Sequence, residues 1–168
     1  MNALPFAQPD RDVNLNLSLA LLTLEGLAVS SRGKYLLNAE RLQLLLFLIR
    51  HPTVLVGVGR ALGKEVILLD ESEAYSITSI AFDVDQLFNP SFMKALLKSL
   101  SSKGLIQVTY RKADGFMFSL SQRGKAVADD LGGEYFERVR QYIEVLKKLN
   151  SEPTRNLIQL TQQAMRTK

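Results

Sequence analysis

An apolar stripe of helical period, two alternating strands and a second capped helix follow one another without interruption between Asn89 and Lys125. Asn89-Pro90 is a helix start, proline sitting well at the first helical position. Phe92, Met93, Leu96, Leu97 and Leu100 then recur every three or four residues, and Gly104 ends the run. From Leu105 to Arg111 the chain alternates, and Phe116, Phe118 and Leu120 continue the alternation on a return strand. Ala113-Asp114-Gly115 lies between them, and Asp-Gly predicts a hairpin with a two-residue turn. Ser121 is placed to cap a helix running to about Leu131. Helix, hairpin and helix in this order are the helix-plus-wing half of a winged helix. The expected class is therefore mainly α with a small β-hairpin, α+β, a winged helix with flanking N- and C-terminal helices.

The remaining segments supply those flanks. Residues 1–13 hold two prolines and three charges and read as a loose N-terminal arm. From Asn14 to Ser31, Leu15, Leu17, Leu19, Leu21, Leu22, Leu24, Leu27 and Val29 make a helix apolar on more than one side. Such a helix either fills the centre of the core or gives part of its surface to another subunit, and Leu15, Leu17 and Leu19 are the candidates for the second role. Lys34–Leu37 reads as a short strand. Asn38 is expected to cap AERLQLLLFLIRH, the most apolar helix of the chain; Pro52 closes it, and Thr53 is expected to cap a weaker helix ending at Gly63. Residues 64–88 form an acidic insertion with one apolar run, Val66–Leu69, expected as a strand or turn. After Gly132-Gly133 the chain reads as a C-terminal helical extension over 134–168, outside a winged-helix domain of residues 14–131. Tyr135, Val139, Tyr142, Leu146 and Leu149 recur at spacings of 4, 3, 4 and 3, a seam fit for packing on the domain or on a partner.

Charge separates the halves. Residues 1–89 carry 7 Lys/Arg against 10 Asp/Glu, and residues 90–168 carry 14 against 7. On a winged helix, Lys94 and Lys98 would lie on the exposed side of the third helix, Arg111 and Lys112 at the wing tip, and Arg123 and Lys125 at the start of the next helix. Six such charges could neutralise phosphates of double-stranded DNA without reading its sequence. Between Ser91 and Ser102 there is no Arg, Asn or Gln to reach base edges, which weakens an operator-reading regulator. A solvated basic face on a protein-binding winged helix is the third reading.

Catalytic chemistry finds little to use. There is no cysteine, so a disulfide framework, a thiolate metal site and a cysteine nucleophile are excluded, and a reducing cytoplasm is the expected compartment. The single histidine, His51, precedes Pro52 at a helix end, where imidazoles cap carbonyls. Asp70, Glu71 and Glu73, or Asp83 and Asp85, lack the glycine-spaced pattern of a calcium loop and read as a solvated acidic loop. Gly57 and Gly59 lead into Arg60-Ala61, not the Lys-Ser of a phosphate loop. No run of ~18 apolar residues suggests a membrane span. The expectation is no enzyme, no cofactor, no metal, no small-molecule substrate and no membrane.

Three stretches, LLNAERLQLLLFLIRHPTVL, SSKGLIQVTYRKADGFMFSLSQRGK and EYFERVRQYIEVLKKL, together resemble the small middle component of three-component ABC-ATPase systems. These are bacterial conflict operons that include the Lamassu type of anti-phage and anti-plasmid defence, and the resemblance spans roughly residues 15–150. It implies a non-catalytic accessory subunit that sits with an SMC-like ABC ATPase and an effector, often a nuclease. The rival expectation from the residues is a winged-helix transcription regulator.

Overall fold

Helix α1 (Val13–Leu27) packs against five of the other described elements. The computed structural model describes residues 12–75 and 89–167. Of the expected N-terminal arm, residues 1–11 lie outside these. Asp12 is the N-cap of α1, its carboxylate accepting from the backbone of Asn14 at 2.9 Å and Leu15 at 3.1 Å. Leu17, Leu19, Leu21, Leu22, Leu24 and Leu27 are all buried, on every side of the helix. Thr23 is buried too and donates its hydroxyl to the Leu19 carbonyl at 2.7 Å, which removes its demand for water.

The chain then runs through α2 (Ala39–Arg50), α3 (Pro52–Ala61), a single turn α4 (Glu71–Ala74), α5 (Pro90–Ser102), β1 (Ile106–Arg111), β2 (Gly115–Leu120), α6 (Gln122–Asp130), α7 (Glu134–Lys148) and α8 (Thr154–Arg166). The described residues form a mainly helical α+β fold with one two-stranded antiparallel sheet. Helix α2 is buried from Arg41 to Ile49 except at Gln43, and α3 leaves it at 110° where Pro52 ends the first helix. No single helix among the described residues is long and apolar enough to cross a membrane. Helix α7 packs on α1, and α8 packs on α3 and α2, all within the same buried cluster as the leucines of α1.

Local chemistry explains the boundaries. Asn38 accepts from the Arg41 N–H at 2.9 Å, Asn89 from Ser91 and Phe92, and Ser121 from Gly124 at 3.0 Å. Gly63 and Gly104, at φ 63° and 67°, end α3 and α5 in the left-handed conformation that a helix stop requires. Arg41, in the first turn of α2, is buried and grips the chain between α7 and α8. Its guanidinium donates to the carbonyls of Glu152 (2.8 Å) and Asn150 (3.0 Å) and to the Thr154 hydroxyl (3.1 Å).

Four local expectations are corrected. Thr53 does not cap α3: Pro52 occupies its first position after His51, and Thr53 is a half-buried helical residue whose buried hydroxyl has no hydrogen-bond partner among the described residues. Lys34–Leu37 forms no strand. It makes isolated bridges, Val29 with Tyr35 and Asn38 with Met117, because Asn38 must already turn the chain into α2. Val66–Leu69 is neither strand nor turn; Val66, Ile67 and Leu69 pack on the core while Leu68 points out. The hairpin turn holds three residues, not two. Arg111 pairs with Gly115, the Asp114 N–H donates to the Arg111 carbonyl at 3.2 Å, and Gly115 takes φ 77°, so the glycine serves the strand start after the turn.

Candidate functional site

Because side chains alternate along a strand, the hairpin has two faces. Met117 and Ser119 of one face are buried against the body of the fold. The opposite face holds Ile106, Val108 and Tyr110 across from Leu120, Phe118 and Phe116. Its base, Ile106 and Phe118, is buried, whereas its outer part is not: Val108 is 48% exposed, Tyr110 65% and Phe116 60%. Tyr110 and Phe116 are register partners, and their rings meet edge to face at 5.3 Å. Arg111 and the exposed Lys112 follow directly at the tip, Arg111 lying 4.0 Å from Asp114.

The six basic candidates fall into three groups. Lys94 and Lys98 are exposed one turn apart on α5. Arg111 and Lys112 flank the aromatic pair. Arg123 is exposed on α6, but Lys125 reaches back to Glu25 of α1 at 3.6 Å and to Asp129 at 3.5 Å. Lys125 thus already faces two carboxylates of its own chain.

The candidate partner residues are mostly consumed internally. Leu17 and Leu19 are inside the core, and Val139, Tyr142 and Leu146 are buried where α7 packs on α1. Leu15 is partly buried, and only Tyr135 of the seam, 53% exposed and edge to face with Phe136, faces outward. Sequence reasoning missed the hairpin face as a surface. Its signal was present: a hairpin with only one covered face needs polar outward residues, and here both strands put aromatic residues there.

A cleft of about 960 Å³ opens between α1, the Leu68–Glu73 segment and α7. Glu73 at its wall was expected to be a solvated loop carboxylate, and it is not. Its side chain is 13% exposed and takes both Arg138 Nε and Nη2 at 2.6 Å, the Tyr142 hydroxyl, and the Asp70 N–H at 2.9 Å. The Arg138 guanidinium holds the Glu73 carboxyl down to about 2. In return Glu73 raises Arg138, and burial together with Glu73 raises the Tyr142 phenol. A carboxylate so acidic is a poor proton acceptor, and a phenol so weak a poor donor. This is a latch between α4 and α7, not a pair poised for proton transfer.

The other titratable candidates are likewise structural. His51 is buried, stacks on Phe47 at 4.1 Å, and its Nδ1 lies 2.8 Å from the Phe47 carbonyl. Asp70 caps α4. Asp83 and Asp85 lie outside the described residues, and among the described residues no three His, Asp or Glu side chains converge as a metal ion would need.

Comparison with known proteins gives one result. Neither the curated proteins nor the solved structures contain a significant match. The family model of the ABC-three component (ABC-3C) system Middle Component 4 matches residues 27–159, a span that takes in α2 through the first turns of α8 with the hairpin and the latch inside it. With most of its length matched, the chain belongs to the Middle Component 4 family of ABC-three component systems.

Proposed function

We propose that this middle component is a non-catalytic accessory subunit of an SMC-like ABC-ATPase complex in bacterial anti-phage and anti-plasmid defence of the Lamassu type. In this reading it joins the ATPase to an effector nuclease in the cytoplasm, and it is a winged helix whose wing is the β1–β2 hairpin. The order α5–β1–β2–α6, with the Asn38–Met117 bridge as a rudimentary third strand, supports the fold reading. The observation that carries the functional reading is the outward set Val108, Tyr110 and Phe116. Three large apolar side chains on one small hairpin are costly to leave in water and suit a partner's surface.

Co-purification with the ATPase of its own system tests this. The wild type is expected to be retained, and Tyr110→Ala with Phe116→Ala to lose at least tenfold in affinity, as for paired aromatic anchors. Retention of neither protein would remove the subunit reading; full retention by the double variant would remove the hairpin from it.

Arg111 and the exposed Lys112 at the hairpin tip, together with the exposed Lys94 and Lys98 on α5, favour a second role, non-specific contact with double-stranded DNA. Changing Arg111 and Lys112 to Glu should flatten the salt dependence of duplex binding. A preference for its own promoter over random duplex would favour the transcription-regulator alternative instead.

A further inference from the structure

We propose that the outer edge of β1 accepts an extended, acidic segment of the partner ATPase as an added strand, with Val108, Tyr110 and Phe116 packing its side chains. This rests on the docking reading above and specifies it. The backbone decides which groups are offered. The Phe118 N–H donates to the Leu37 carbonyl at 2.9 Å, so Phe118 points its amide away from β1. In an antiparallel pair the residues opposite such positions also point away from their partner strand. Register places Phe118 opposite Val108 and Phe116 opposite Tyr110. The N–H and C=O of Val108 and Tyr110 therefore face the outer edge, while Gln107 and Thr109 bond to β2.

That edge lacks the usual protection. Among the described residues the sheet ends at β1, and its sequence, IQVTYR, has no proline, no glycine and no lysine, its one charge being Arg111 at the tip. Native edges are normally blunted by such features because bare ones recruit strands. The residues offering their backbone at the edge are the same ones whose side chains are exposed on the face. An added strand would thus gain main-chain hydrogen bonds and apolar contact at once.

Charge selects the occupant. Both ends of β1 are flanked by cations, exposed Lys103 before it and Arg111 with Lys112 after it. Between residues 90 and 128 there are seven Lys/Arg and a single acid, Asp114. An apolar strand bearing Asp or Glu near its ends matches that distribution, and a second copy of this basic edge does not. Nucleic acid is the other occupant these cations would attract, and the test separates it from an acidic strand.

The test uses the full-length protein and the ATPase component of its own system. Hydrogen exchange with and without the ATPase should slow the Val108 and Tyr110 amides, leaving Gln107 and Thr109 as they were. Val108→Pro removes an outward N–H that the hairpin does not use, so it should keep the thermal unfolding profile while weakening binding at least tenfold. Lys103→Glu with Lys112→Glu should weaken it too and reduce its salt dependence. If Tyr110→Ala with Phe116→Ala abolishes binding but Val108→Pro and the amide pattern do not respond, docking stands and strand addition is overturned. A concentration-dependent dimer lost in Val108→Pro would overturn the acidic partner in favour of self-pairing, and competition by a single-stranded oligonucleotide would overturn it in favour of nucleic acid. Should Val108→Pro fail to fold, the exchange pattern of the wild type decides alone.

Discussion

Glu73→Gln keeps the shape of the side chain that joins α4 to α7 and removes its charge. The carboxylate now accepts from two guanidinium nitrogens, a phenol and a backbone N–H. A glutamine has one oxygen, so its amide nitrogen must face at least one of these donors. Arg138 keeps other acceptors, the Leu68 carbonyl at 2.8 Å and Gln141 Oε1 at 2.6 Å, which limits the damage. The carboxyl shifts from 4.5 to about 2 on folding, and at about 1.4 kcal/mol per unit this amounts to about 3 kcal/mol in favour of the charged form. With Arg138 29% exposed, water screens part of this, and about 2 kcal/mol is the expected loss near pH 7. The sign over pH follows from the lowered value. A group more acidic in the folded chain gives its full stability above its unfolded pKa and loses it as the pH falls through the folded one. Wild type and variant should therefore differ fully above about pH 5 and converge toward about pH 2. Urea unfolding across that range measures the difference, and backbone exchange over residues 64–75 locates it. A gap that stays constant with pH, or exchange unchanged in that segment, would refute the electrostatic latch. A double-mutant cycle with Arg138→Gln should show a coupling of about 1 kcal/mol or more.

Two further substitutions probe the frame that holds the hairpin and the C-terminal helices. A Cβ on Gly124 would lie 1.9 Å from the Leu105 carbonyl oxygen, a backbone atom that cannot swing aside, so Gly124→Ala should cost about 3 kcal/mol in urea unfolding. A loss under about 0.5 kcal/mol would mean the α6 start can shift freely from the base of β1. Arg41→Lys should cost about 2 kcal/mol, because an ammonium cannot reproduce the fork that spans Glu152, Asn150 and Thr154, and it should speed exchange at the α7–α8 junction. Equal stability of wild type and Lys variant would show that charge alone holds that junction.

Helix starts and stops were legible because each is written in a few neighbouring residues. Asn38, Asn89-Pro90, Ser121 and Gly104 satisfy or release backbone groups within one turn, and no distant contact can overrule them cheaply. The errors share one cause. Thr53 is a good capping residue in isolation, but a proline before it claimed the first helical position. Val66–Leu69 has strand-forming residues, yet the described sheet offers it no neighbour, and it packs as irregular chain instead; a Cβ on Gly59 would meet Val66 Cγ1 at 2.4 Å, so the segment lies directly on α3. The seam on α7 has the spacing of an interface and is used as one, but its partner is α1 of the same chain.

The hairpin face was harder to read for a related reason. Alternation along β1 and β2 states that the two faces differ; it does not state which face the body of the fold covers. That depends on where α1 and Leu37 lie, a relation across some eighty positions. The same holds for Glu73, whose partners Arg138 and Tyr142 stand 65 and 69 positions away, so that the acidic loop looked solvated until brought together with α7. Burial then inverts the first assignment of roles. Leucines conspicuous in the sequence, Leu17 and Leu19, vanish into the core, and among the apolar groups left exposed are Val108, Tyr110 and Phe116, which looked like ordinary strand residues. In a chain whose core is this rich in leucine, the informative apolar residue is the one that the fold had room to bury and left outside.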